Sequence, residues 1–232
     1  MPDSTLFRVG IVVPSSNTVV EDYCHDQLAG KGPLRVHFAR ISVTQISPDA
    51  PSLSQFEETR MLAAFDLLAE AHPDRLVWGG TAAGWLGFDL DRRLCDRIEE
   101  RTGIPATSSL LATNARLKEL GVRRIGLVTP YEQEIETRII GNYKAAGIDV
   151  VANERLDITV NTDYADVSPA EIFEMSKNVA QTGAEAIVIL CTNLAGAAIV
   201  NAASEATGLP VLDSVEETFR PLVHLASETS VV

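Results

Sequence analysis

Clustered positive charge is what this 232-residue chain most lacks: 19 Lys and Arg stand against 32 Asp and Glu, a net charge of -13. Nucleic acid and anionic membrane surfaces both select concentrated Lys/Arg, so neither is expected as the main partner. A small anionic substrate stays compatible, because a few backbone N–H groups at helix N-termini bind a carboxylate even inside an acidic protein. Cysteine is scarce too. Cys24, Cys95 and Cys191 make neither a disulfide framework nor a metal spacing, and His25, His37, His72 and His224 lie far apart with no H-x-x-x-H pair. No metal is therefore expected. No apolar run approaches the roughly 18–20 residues that span a bilayer. The opening MPDSTLFRVGIVVP runs straight into a strand pattern, with no basic and then apolar leader. Neither a G-x-G-x-x-G after the first strand nor a G-x-x-x-x-G-K-[ST] occurs, which leaves nucleotide binding without support. No His lies near a strand-end turn, so no Ser-His-Asp arrangement is suggested. These absences lead us to expect a soluble protein of a reducing compartment, placed in the cytoplasm.

What is present is an alternation of short apolar runs and amphipathic stretches, in a chain that is 46% hydrophobic and can bury a sizeable core. Phe7–Val13, Arg35–Val43, Arg75–Trp78, Arg124–Val128 and Ala186–Leu190 are short and rich in β-branched residues, as buried parallel strands are. Helical spacing covers Ser54–Ala71, Asp89–Arg101, Leu110–Leu120, Tyr131–Ala146, Pro169–Thr182, Leu194–Thr207 and Val215–Ser227. The fold class expected is α/β, with parallel sheets covered on both faces.

The chain also repeats itself in order. Arg8-Val-Gly-Ile-Val-Val-Pro14 returns as Arg124-Ile-Gly-Leu-Val-Thr-Pro130, an offset of 124 − 8 = 116. Gly80 in Leu76-Val-Trp-Gly-Gly-Thr81 pairs with Cys191 in Val188-Ile-Leu-Cys-Thr192 at 191 − 80 = 111, and Thr102-Gly-Ile-Pro105 pairs with Thr207-Gly-Leu-Pro210 at 207 − 102 = 105. Common α/β punctuation explains single matches; three in sequence favour a duplication. The expected halves are residues 1–115 and 116–232, with part of the C-terminal helix crossing back onto the first. Two such halves imply a pseudo-two-fold axis and an active-site cleft between them, lined by strand C-termini.

Cys191 ends an apolar strand and precedes a helical stretch, where a helix dipole would lower its thiol pKa. A free cysteine is also often a small buried hydrophobe, and Cys24 and Cys95, on apolar helical spacing, are assigned to packing. The Gly-Gly turn holding Gly80, Thr81 and Ala82 is the repeat-mate of the Cys191 turn and offers close backbone approach. Pro14, Ser15, Ser16 and Asn17 form an N-cap cluster suited equally to ordinary capping and to holding a carboxylate. Tyr131 follows the matching Thr129-Pro in the second half. Asn161 is on composition a plain loop residue. Trp78, Trp85 and Phe88 are either an aryl pocket or core.

Val13-Pro-Ser-Ser-Asn-Thr18, Val128-Thr-Pro-Tyr131 and Leu190-Cys-Thr-Asn-Leu194 resemble the aspartate/glutamate racemase superfamily. The likeness runs from about Arg8 to Leu225 and is greatest to the branch of maleate cis-trans isomerases and arylmalonate decarboxylases. It implies two α/β subdomains, one cofactor-free site between them, and a homo-oligomer. Racemases and isomerases of that group use two cysteines, one per half, whereas arylmalonate decarboxylases keep only the second. Carried over, the second cysteine is Cys191 and the first position is Gly80. Asn17, Tyr131 and Asn161 match polar positions that hold carboxylate in maleate isomerases, and Thr192 and Asn193 belong to the second cysteine's motif. The cysteine count therefore resembles a decarboxylase and the cradle an isomerase. The reading placed first is a single-cysteine decarboxylase of a small (di)carboxylate acting through an enediolate, with Cys191 as proton donor. Maleate isomerisation comes next, then non-catalytic carboxylate binding.

Overall fold

The computed structural model describes residues 6–30, 32–49, 53–180 and 183–229. It holds two four-stranded parallel sheets. In the first, β1 (Phe7–Pro14) lies between β2 (Leu34–Ile41) and β3 (Arg75–Trp78), and β3 pairs with β4 (Ala106–Ser108). In the second, β5 (Arg124–Thr129) lies between β6 (Asp149–Arg155) and β7 (Ala186–Ile189), with β8 (Val211–Asp213) outside β7. Both sheets thus have the order 2-1-3-4, and in both the strand order reverses beside the first strand. Chains entering and leaving there open a crevice at the strands' C-terminal ends.

Helices on both faces explain the near-continuous apolar runs of β1, β3, β5 and β7, which are buried almost throughout. Two repeat-mate glycines permit close helix packing. A Cβ on Gly10 would stand 2.9 Å from Leu76 Cδ2 and 3.2 Å from Leu68 Cβ, and one on Gly126 would stand 2.7 Å from Val179 Cγ2. The repeat extends to an ion pair. Arg40 on β2 meets Glu21 at 2.7 Å, and Arg155 on β6 meets Glu136 at 3.3 Å, with 155 − 40 = 136 − 21 = 115. The TG-hydrophobic-Pro motif likewise folds the same way twice. Gly103 and Gly208, both at φ 70°, end their helices, and Thr102 and Thr207 each donate back one turn while accepting an N–H two residues on.

The final helix, Ser214–Thr229, leaves its own sheet. Val215, Phe219, Leu222 and Ala226 pack with Phe7, Val9, Ile11 and Val13 of β1. It crosses its repeat-mate, Ser109–Glu119, where the Thr218 hydroxyl donates to Ser109 Oγ at 2.7 Å in buried surroundings.

Several expected boundaries move. The second strand is Leu34–Ile41, ending two residues early so that Val43 turns toward the site. The helix expected over Ser54–Ala71 is Glu58–Ala69, and the one over Tyr131–Ala146 starts at Gln133. Pro169–Ala180 is helical, while 181–182 fall outside the described residues. The continuous helix expected from Leu194 does not form: a 3-10 turn spans Gly196–Ile199 and α-helix begins only at Val200. Among the described residues no helix is long and apolar enough to cross a membrane.

Candidate active site

The four turns leaving β1, β3, β5 and β7 meet at one small cavity of about 20 Å³. Pro14 and Asn17 come from the first turn, Gly80, Thr81 and Ala82 from the second, Tyr131 from the third, and Cys191, Thr192 and Asn193 from the fourth. Asn161 joins them across the halves. It is set there by an isolated antiparallel bridge between Gln45 and Val160, with Asn161 N donating to Thr44 O at 3.0 Å. Ser15 and Ser16 do not line this cavity. Their hydroxyls brace the loop instead, Ser16 Oγ donating to Val43 O at 2.6 Å and Ser15 Oγ accepting from Val43 N at 3.2 Å.

The turns are tied together by buried side chains. Asn17 Nδ2 donates to Thr192 Oγ1 at 3.1 Å, and Thr192 Oγ1 donates to Gly79 O at 3.0 Å, linking three turns in one chain. Asn193 Nδ2 donates to Asn161 O at 2.6 Å, while its Oδ1 accepts from Thr18 N at 3.1 Å. Asn161 Nδ2 donates to Ser16 Oγ at 2.6 Å. Each amide side chain has two N–H groups, and these bonds use one of the two on Asn17 and on Asn161.

These bonds revise the expected carboxylate cradle. The amide of Ser15 donates to Ile41 O, that of Asn17 to Pro14 O, and that of Thr18 to Asn193 Oδ1, so the first helix's N-terminus is largely spent on the protein itself. By contrast the amides of Gly80, Thr81, Ala82 and Thr192 have no acceptor among the described residues. The free donors therefore sit in the two switch-point turns after β3 and β7.

Cys191 is buried, and burial pushes its thiol up to about 11, against the opposing pull of the Asn193 amide, the Tyr131 hydroxyl and the Leu194 amide. Asn193 N lies 3.3 Å from the sulfur. The expected lowering by a helix dipole fails for two reasons: no α-helix starts there, and desolvation of a thiolate outweighs two or three hydrogen bonds. The site thiol is thus held protonated. Tyr131 shares a 3.2 Å hydrogen bond with Thr81 Oγ1, and burial foremost keeps its phenol well above the usual range. Its ring meets Tyr164 edge-on, with centroids 5.7 Å apart. Cys24 and Cys95 are buried away from this cavity, and burial raises both thiols, Cys95 to about 12.

Sequence reading missed three features here. Arg40 Nη1 donates to Ser15 O at 2.9 Å and Asn17 O at 2.8 Å, so one guanidinium fixes the first turn. Its only sequence signal was the repeated Arg–Glu spacing. Asp213, at the end of β8, adds negative potential at Cys191 and caps the last helix, its Oδ1 accepting from Val215 N at 2.9 Å. Trp78 proves decisive at Gly80: a Cβ built there would stand 2.5 Å from indole Cζ2. Trp78 and Trp85 line the cavity, whereas Phe88 packs on Tyr143 instead, at 5.1 Å between centroids. Among the described residues no three His, Cys, Asp or Glu side chains gather as a metal group would.

Comparison with known proteins agrees with this architecture. The chain is 25% identical to the maleate isomerase of Geobacillus stearothermophilus, over 91% of this chain and 88% of the relative. It is 25% identical to the arylmalonate decarboxylase of Bordetella bronchiseptica, over 65% and 63%. Among solved structures, the maleate cis-trans isomerase of Nocardia farcinica superposes with a TM-score of 0.87 at 22% identity, covering 96% and 93%. That structure is of a cysteine-to-serine mutant with a covalently bound succinylcysteine intermediate. A double mutant of arylmalonate decarboxylase in its liganded form superposes with a TM-score of 0.84 at 20% identity, covering 95% and 92%. The model of the family described as arylmalonate decarboxylase matches residues 49–231. By that match the chain belongs to the arylmalonate decarboxylase family, whose named relatives here are enzymes of the isomerase or lyase type.

Proposed function

We propose that the chain is a single-cysteine decarboxylase of a small dicarboxylate, working through an enediolate that Cys191 protonates. The observation that carries this reading is the pairing of a protonated thiol at residue 191 with a side-chain-free Gly80 in the same cavity, the space beside Gly80 being taken by the Trp78 indole. One carboxylate of the substrate would lie on the free amides of Gly80, Thr81, Ala82 and Thr192, with the second N–H of Asn17 and of Asn161 completing the cradle. As CO2 departs, the bonding pair moves onto this carboxylate. Donors aimed at its oxygens then bind the enediolate more tightly than the ground state, which is where stabilisation raises the rate. The other carboxylate would face apolar walls such as Val43 and Ile46, which solvate its charge poorly and favour its loss. Cys191 finally gives its proton to the α-carbon, and the Tyr131 hydroxyl steadies the resulting thiolate until solvent returns a proton.

A second reading, maleate isomerisation, is favoured by the relatives' names, four of five being maleate isomerases. It requires a route without a first cysteine. One experiment separates the two: incubate the protein in D2O with a panel of malonates, maleate and amino or hydroxy dicarboxylates, and follow products by NMR. Decarboxylation with one deuterium at the α-carbon, abolished in Cys191→Ala with the fold intact, is the expected result. Fumarate from maleate, or near-native turnover in Cys191→Ala, would overturn the decarboxylase assignment.

A further inference from the structure

The cavity at the four strand-end turns is closed down to about 20 Å³, and one water takes up about 10–15 Å³ of such space. What stands ready-formed there is the seat of a single oxygen, and the rest of a substrate enters by displacing part of the wall. The amides of Gly80, Thr81, Ala82 and Thr192 border this seat with no acceptor among the described residues. Trp78 lines it as well and is 1% exposed.

The Trp78 ring meets Gly80 by one particular edge. A Cβ built at Gly80 would stand 2.5 Å from Cζ2, 2.6 Å from Cε2 and 3.1 Å from Nε1, and these atoms form the edge that carries the N–H. Trp78 Nε1 donates to no acceptor among the described residues, and it is not sealed in as Trp85 Nε1 is, which lies enclosed without a partner. A buried indole N–H ordinarily finds an acceptor, so an idle one calls for a reason. Packing alone does not supply it. The repeat-mate of Trp78, at 189 − 78 = 111, is Ile189, and each is the buried last residue of its strand. The second sheet thus fills this point with an aliphatic side chain that leaves no donor idle.

We infer that Trp78 is a catalytic residue, its indole N–H donating to a substrate carboxylate oxygen from the space that a side chain at residue 80 would occupy. This rests on the carboxylate reading above and adds a side-chain donor to the amides beside Gly80. An indole N–H only donates and is too weak an acid to release its proton. It therefore strengthens its hold as charge gathers on that oxygen in the enediolate, and it leaves Cys191 as the group that moves a proton.

The chain has two tryptophans, so nitrogen-15 labelling of tryptophan gives two indole N–H signals by NMR, assigned through Trp78→Phe and Trp85→Phe. The intact protein is titrated with acetate, malonate and maleate. The Trp78 signal should move downfield as the acid saturates the protein, because its N–H then bonds a carboxylate. Replacing Trp78 with benzothienylalanine keeps the shape of the ring but removes the N–H, and should weaken malonate at least about tenfold in isothermal titration. A Trp78 signal that stays in place while malonate protects Cys191 from iodoacetamide overturns the donor. So does a downfield shift at Trp85 instead, or undiminished malonate affinity in the benzothienyl protein. Failure of all three acids to move either signal or to protect Cys191 overturns the carboxylate reading itself.

Discussion

A proton donor must keep its proton in the resting enzyme, whereas a nucleophile or base must surrender it, and the ionisation of Cys191 separates these roles. Burial sets the thiol at about 11. At pH 8 the thiolate fraction is then about one part in a thousand, against roughly a quarter for an ordinary thiol near 8.5. Alkylation by iodoacetamide proceeds through the thiolate, so Cys191 should react a few hundred-fold more slowly than a free thiol from ionisation alone. Its limited access slows it further. Access lowers the whole curve but leaves its shape intact, so shape is the decisive measurement. The rate at the peptide carrying Cys191, followed by mass spectrometry, should climb about tenfold per pH unit from 7 to 10 without levelling. Tyr131→Phe removes a hydrogen bond that favours the thiolate and should lower the rate at every pH. A plateau below pH 9 would refute the reasoning, because a thiolate already formed near neutrality serves addition or proton abstraction, not proton delivery.

Arg40→Ala removes two short hydrogen bonds to the Ser15 and Asn17 carbonyls and the ion pair to Glu21, and should cost about 1–3 kcal/mol in urea unfolding while raising KM. Arg40→Lys should restore little, since an ammonium cannot span several acceptors as a guanidinium does. Asp213 carries a pH dependence of stability. Burial raises its carboxyl from 3.8 to about 7, so between these values the folded state binds more protons than the unfolded one. Stability then falls as pH rises from about 4 to 7, by up to roughly 4 kcal/mol from this one group. Differential scanning calorimetry across that range should show Tm declining, and Asp213→Asn, which keeps a capping oxygen, should flatten the decline; an unchanged slope in the variant would remove Asp213 as its source.

Much of the fold was legible because it rests on patterns with a direct physical cause. Strands buried on both faces must be apolar without interruption, which exposed β1, β3, β5 and β7. The missed strands lack that signature. β4 and β8 have three residues each, and β6 is half-exposed, so its sequence DVVANER mixes polar and apolar positions. The stretch after Cys191 has helical spacing yet begins as a turn, because the Asn193 side chain is recruited to Asn161, Ser16 and Thr18 across the interface. Local sequence cannot announce a bond made 177 residues away. Ser15 and Ser16 fell outside the cavity for the same reason: their hydroxyls serve Val43, a partner visible only once β2 is in place. The thiol's ionisation was misjudged because position along the chain suggests a dipole, while depth of burial, the larger effect, belongs to the assembled molecule.

The two halves share a frame and differ at its centre. Paired glycines, paired Arg–Glu bridges and paired TG-hydrophobic-Pro turns recur in both halves, yet one switch-point turn bears a thiol and the other a glycine shielded by an indole. This makes placing a cysteine at Gly80 a question of space before chemistry. Trp78 is 1% exposed, and a residue-80 Cβ would stand 2.5 and 2.6 Å from two of its ring carbons. Contacts that close require the indole to move within a packed core, at a cost of about 1–3 kcal/mol. Gly80→Cys alone should therefore lower Tm by several degrees and leave the new thiol badly placed. Combined with Trp78→Phe, which withdraws the outer ring, it should lose less stability than the two single changes added together. Only the pair should gain α-proton exchange from both faces, read as racemisation in D2O. Additive stability losses would mean that the two side chains do not compete for one space, and the contrast between the halves would then need another cause.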